Sequence, residues 1–322
     1  MAFVTYRLWQ DWGEVGVLVA DPPNVFCLGL AGAVVLVAHG WSGWVWGGLL
    51  QGLGQPVAGL WVTLVYLRTN VWKYLPGNVW HFYGRLQALR EAGLTIAAAS
   101  LAVGLEPLLM AAAALIVGLA YPTPYWPWQL LVPGLVMVAF QPRWINSLLR
   151  RCRPQAEGGL GVKLQGYPLA PLAGLMVFVL LRGLGFVLVI QSLQPLAPVR
   201  WPLLLSRFSL AWLVGLVVPG APGGVGVFEA VALVLLPAEL TPRVELASLA
   251  LYRLVSTLVE ILAALLALSL QAWGLGTLPP GWGGGGGVGR GGGGGGAGPG
   301  PGGGGGGGLY PSALGGGGPP PP

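Results

Sequence analysis

Between residues 25 and 50 the only ionisable side chain is His39, and a run of that length exceeds the ~20 apolar residues a helix needs to cross a bilayer. Runs of the same kind recur. Residues 94–120 carry Glu106 as their only charge, 168–193 carry Arg182 near the middle, and 246–270 carry Arg253 and Glu260. With a shorter stretch over 128–140 and two interrupted ones, the chain holds about seven apolar segments. Only 8% of its 322 residues are charged, against about 25% in a soluble domain. A bilayer offers the backbone no water, so segments of this length are expected as helices that satisfy their own N–H and C=O groups. The fold expected is an all-α polytopic membrane protein, with a membrane domain over 24–273 between an N-terminal segment, 1–23, and a tail, 274–322. That tail is almost entirely Gly and Pro from residue 279 onward and is expected to be disordered, since it has nothing to bury.

Two segments are broken or re-entrant by this reading, each at a Pro-Gly motif. Residues 203–218 run into Pro219-Gly220-Ala221-Pro222-Gly223-Gly224-Val225-Gly226, and apolar sequence resumes with Val227-Phe228-Glu229. Proline removes backbone donors and glycine leaves helical geometry freely, so the helix should stop here and restart near Val225. The earlier case runs from Pro56 to Lys73-Tyr74-Leu75-Pro76-Gly77-Asn78. Pro76-Gly77 makes the break, and Asn78 is the expected N-cap of a helix reaching about Glu91. Irregular backbone at membrane depth survives only where protein buries it or a wet cavity borders it. One interrupted segment in each half of a chain is a pointer to a transporter's binding site.

Restarted helices present unpaired N–H groups and a positive dipole end, which attract phosphate or carboxylate. The candidate substrate-binding residues are therefore Pro76, Gly77 and Asn78 at the first break and Pro219, Gly220, Pro222, Gly223, Gly224 and Gly226 at the second, with Glu229, Arg253 and Glu260 as charges nearby. Close helix packing is the other use such glycines have. A carboxylate in a bilayer costs about 2.5–3.5 kcal/mol, so Glu229 needs a partner. Arg253 and Glu260 fall on one face of the last helix, about 10 Å apart; Arg253 is expected to pair with Glu229, with Glu260 or with a lipid phosphate. Glu106 and Arg182 are expected to pair with each other, and Arg85 to snorkel to the headgroups.

Arg143, Arg150, Arg151, Arg153 and Lys163 cluster against Glu157 alone, which makes that loop cytoplasmic by the positive-inside rule. The net charge of +6 reads as topology signal and lipid contact, not as nucleic-acid binding. Residues 1–23 hold Arg7, Asp11, Glu14 and Asp21, so no cleavable signal peptide is expected. Cys27 and Cys152 show no paired spacing, and His39 and His81 share no ligand spacing with either. No metal, cofactor or catalytic residue is expected, because P-loop, dinucleotide, nucleophile-elbow and zinc-protease patterns are all missing.

Pro222-Gly223-Gly224-Val225-Gly226-Val227-Phe228-Glu229 resembles the signature of the membrane domain of lysylphosphatidylglycerol synthases, shared with the UPF0104-type bacterial inner-membrane proteins. Lys73-Tyr74-Leu75-Pro76-Gly77-Asn78-Val79-Trp80 is similar to that family's earlier Pro-Gly segment, and Tyr252-Arg253 with Ser256 to its last-helix pattern. The resemblance covers about 25–273. It implies re-entrant elements, a lipid-accessible cavity, multi-pass residence in the bacterial inner membrane, and flippase-like binding or translocation of anionic or aminoacylated phospholipid or a lipid-linked precursor. Full synthases add a soluble aminoacyl-transfer domain, so lysyl transfer is not expected of this chain. A membrane enzyme or accessory subunit of polyprenyl-linked glycan metabolism, and a non-transporting scaffold, are the alternatives. Phospholipid or a lipid-linked substrate is the expected partner, nucleic acid is not, and association of the chain with copies of itself is left open.

Overall fold

Residues 23–55, 57, 59–123, 126–151, 164, 166–218, 222–236 and 240–276 are described by the structure, a computed structural model. They all belong to one unit, Met1–Gly285, and every element among them is helical. In chain order these are α1 Val25–Gly52, α2 Gly59–Asn70, α3 Trp80–Glu91, α4 Ile96–Gly118, α5 Trp126–Gln129, α6 Leu131–Ala139, α7 Pro142–Arg151, α8 Leu169–Leu193, α9 Trp201–Val217, α10 Val227–Leu235 and α11 Pro242–Ala272.

Four of them, α1, α4, α8 and α11, are long and apolar enough to cross a membrane, which fits a membrane protein. The remaining apolar sequence forms shorter pieces. Residues 128–140 fall in helices of 4 and 9 residues, and the segment interrupted after 218 in helices of 17 and 9. The outer surface is apolar as well: Val37, Leu108 and Leu258 are each more than half exposed, a distribution suited to lipid and not to water.

Polar caps set several helix starts. The Asn24 side chain accepts from the Phe26 and Cys27 N–H groups, Thr95 from Ala98, and Thr241 from Val244, with Pro242 at the first position of α11. The last helix closes through Gly274 and Gly276, both at positive φ. A Cβ on Gly276 would lie 2.7 Å from Leu64, so the described chain packs on α2 three residues beyond the expected boundary at 273; residues 1–22 and 277–322, with the predicted disordered stretch, lie outside the described residues.

The frame is an antiparallel pair. Asn24 N–H donates to the Ser192 carbonyl at 2.8 Å, and the Trp41 indole to the Gly174 carbonyl at 2.7 Å, so α1 and α8 run in opposite directions. Gly174 and Gly185 let them close up: a Cβ at either would meet Val45 or Val35 at 2.6 Å. Lipid tails are as apolar as leucine, so contact between such helices is favoured by close van der Waals fit more than by exclusion of water. Behind the second break, Phe186, Phe208, Phe228 and Tyr252 form a cluster with ring centroids 5.4–6.3 Å apart.

Candidate functional site

The two interruptions lie against each other. After α2 the chain makes one 3-10 turn, Val71–Tyr74, then passes Gly77 at φ 95° and Asn78 at φ 52° before α3 begins. At the second break, Pro222–Gly224 is a 3-10 turn with Gly223, Gly224 and Gly226 at φ 60°, 71° and 87°, which side-chain-bearing residues rarely adopt. A Cβ on Gly223 would lie 2.7 Å from the Tyr74 ring, and one on Gly224 2.9 Å from the Gly215 carbonyl oxygen. Glycine therefore sets how closely the breaks approach. Pro76 is exposed, and its carbonyl accepts from the Trp80 indole at 2.9 Å. Pro219 and Gly220 lie outside the described residues.

The cap expected at Asn78 is corrected. Val79 occupies the N-cap of α3 and makes no side-chain cap bond. Asn78 instead takes the left-handed conformation that asparagine tolerates, and it borders the cavity between the breaks.

Glu229 opens α10, where one carboxylate oxygen accepts from the Gly226 N–H at 2.7 Å and the other from Arg253 Nε at 2.7 Å. Arg253 also donates to the Gly223 and Gly224 carbonyls, at 3.1 and 3.4 Å. One guanidinium thus ties α11 to the second break and to the helix that restarts after it, and of the partners expected for Arg253 it is Glu229 that it meets. Glu260 belongs to a different group. Its carboxylate, 1% exposed, meets Lys73 Nζ at 2.8 Å, the Tyr74 hydroxyl at 2.9 Å, His39 Nε2 at 3.1 Å and Arg182 Nη1 at 3.2 Å.

Two further expectations are overturned. Arg182 turns to Glu260 and the Tyr252 hydroxyl, leaving Glu106 to Arg85, with which it forms a short ion pair, and to the Tyr66 hydroxyl at 2.8 Å. Arg85 does not snorkel; it is 2% exposed, with its guanidinium 3.8 Å over the Tyr66 ring. Helix α3 turns this residue inward, so a carboxylate on α4 is within reach and the headgroups are not.

Four cations, Lys73, Arg85, Arg182 and Arg253, thus face three carboxylates, Glu106, Glu229 and Glu260, an excess of one positive charge. That excess lies on a cavity of about 150 Å³ where the breaks meet, room enough for several waters or one phosphate-sized group. Lys73, Arg182 and Arg253 line it with Asn78, His81 and the backbone of Gly223 and Gly224, and among the described residues no carboxylate does. A smaller chamber of about 90 Å³ continues inward past Lys73, His81 and Arg182 to Arg85 and Glu106. His81 Nδ1 and Arg85 Nε in its wall have no hydrogen-bond partner, which marks the chamber as a place for water. Among the described residues no three His, Cys, Asp or Glu side chains could hold a metal ion.

Sequence reasoning did not name Lys73, Arg182, His81, Tyr74, Tyr252 or His39 among the candidate binding residues. Tyr74 stands next to the first break and was within reach of inspection. The partners of His39 and Tyr252 lie 70 or more residues away, so neither contact could be read locally. No family model matches the chain, and no curated protein matches it.

Proposed function

We propose that this chain is a multi-pass protein of the bacterial inner membrane that binds, and passes across the bilayer, the headgroup of an anionic phospholipid or lipid-linked precursor. In this reading α2–α3 and α9–α10 are re-entrant pairs that enter from opposite faces and meet at mid-depth. His39, Glu106, Arg182 and Glu260 all lie near the middles of α1, α4, α8 and α11, at the same depth as the breaks. The N-termini of α3 and α10 then bring their positive ends to the bilayer centre, as half-helices do in transporters. The resemblance to the lysylphosphatidylglycerol synthase membrane domain points the same way.

The observation that supports the reading is a cavity wall with three cations and, among the described residues, no carboxylate. Charges at this depth are costly to keep, and an unbalanced positive set is stabilised by an anion that visits it.

Transfer of fluorescent phosphatidylglycerol between leaflets of proteoliposomes tests it. Wild type should exceed empty liposomes, and Arg253→Ala and Glu229→Gln should lose most of that excess. Lys73→Gln should slow transfer about tenfold, the worth of one charge-assisted contact, with little loss of stability because Glu260 keeps Arg182 and Tyr74. Wild type indistinguishable from empty liposomes would end the proposal.

A further inference from the structure

A second, larger recess adjoins the cationic cavity. It is a groove of about 520 Å³ between α3 and α4, lined by Val79, Trp80, Tyr83, Leu86, Ser100 and Gly104, and its walls are almost wholly apolar. Phe82 and Pro107 belong to both recesses, so the groove begins where the headgroup cavity ends. Gly104 lies exposed in its wall. A Cβ on Gly104 would meet nothing within 4 Å, whereas on Gly118, in the same helix, it would lie 2.6 Å from Leu210. Helix packing accounts for Gly118. It does not account for Gly104, where glycine costs helix stability and no neighbour requires it.

Resting on the headgroup reading of the cavity, we propose that this groove seats one acyl chain of a phospholipid whose phosphate is held by Lys73, Asn78 and Arg253. The chain leaves the headgroup between Phe82 and Pro107 and lies along Gly104 and Ser100, against the Trp80 and Tyr83 rings. Bilayer hydrocarbon is as apolar as the groove, so the acyl chain gains shape-matched packing there and little hydrophobic free energy. Affinity resides in the phosphate contacts. The groove decides that the phosphate arrives attached to a chain: a free anion has no use for it, and a lipid cannot enter the cavity without laying its tail somewhere beside it.

The full chain in detergent is titrated with a phosphatidylglycerol carrying a photoactivatable group at mid-chain, and separately with inorganic phosphate. Wild type is compared with Gly104→Phe and Ser100→Leu, two substitutions at exposed groove positions, and thermal unfolding confirms that each variant is folded. We expect crosslinks within 79–107, lipid capture weakened about tenfold in both variants as the groove fills, and phosphate binding unchanged. Crosslinks confined to other helices, or full lipid capture by both variants while Lys73→Gln loses it, would overturn the acyl seat and leave the headgroup site standing. A wild type that binds neither lipid nor phosphate would overturn both.

Discussion

Arg85 and Glu106 show how little room a buried charge leaves its partner. Arg85 is 2% exposed and Glu106 3% exposed, and the guanidinium spends its remaining face on the Tyr66 ring. Removing one half of such a pair strands the other, at a cost of about 3–5 kcal/mol, while replacing both by apolar groups of similar volume costs far less. Glu106→Gln should therefore lower the unfolding temperature in detergent markedly, and Arg85→Met with Glu106→Leu should recover most of the loss. A double variant no more stable than the single one would show that the pair is not what orders this part of the chain. Sequence left Glu229, Glu260 and a lipid phosphate open as partners of Arg253 and offered Glu106 to Arg182, because spacing along a chain says nothing of which helix faces which.

At the scale of elements, the second break is held by glycine conformation and by the Arg253 clamp. Gly224 sits at φ 71°, with the Gly215 carbonyl where a Cβ would go, so Gly224→Ala is expected to destabilise the protein by about 1–3 kcal/mol. Gly104→Ala is the control. It lies mid-helix in α4 with open space beside it, and there alanine should stabilise by about 0.5–1 kcal/mol. Opposite shifts in thermal unfolding are the expected result; equal shifts would mean that backbone conformation does not limit the second break. The places of both breaks were legible in Pro76-Gly77 and in Pro222-Gly223-Gly224, since no other residues so reliably stop a helix. The start of α3 was not. Asparagine serves equally as an N-cap and as a left-handed turn residue, and the neighbouring Gly77 at φ 95° decided for the turn.

For the whole molecule, orientation follows from one loop and one hydrogen bond. With the basic residues around 143–163 on the cytoplasmic side, as the positive-inside rule expects, α8 would leave that side, and the Asn24 N–H donating to the Ser192 carbonyl puts the start of α1 at the far end of α8. With Cys27 and Cys152 replaced by Ser, Val25→Cys should react with a membrane-impermeant maleimide on intact cells, and Arg143→Cys only after permeabilisation. Labelling of both from outside would reverse the argument. The chain's own pattern determined that it is helical, that four helices are long and apolar enough to cross a membrane, and where two helices stop, because length, apolarity and Pro-Gly chemistry act within a few residues of each other. Which charges meet, that the two breaks touch, and that three cations share a cavity with no acid on its wall among the described residues were decided by tertiary structure alone. These depend on how helices far apart in sequence are turned towards one another, and that is set by close packing at glycines such as Gly174, Gly185 and Gly223, whose neighbours no local pattern names.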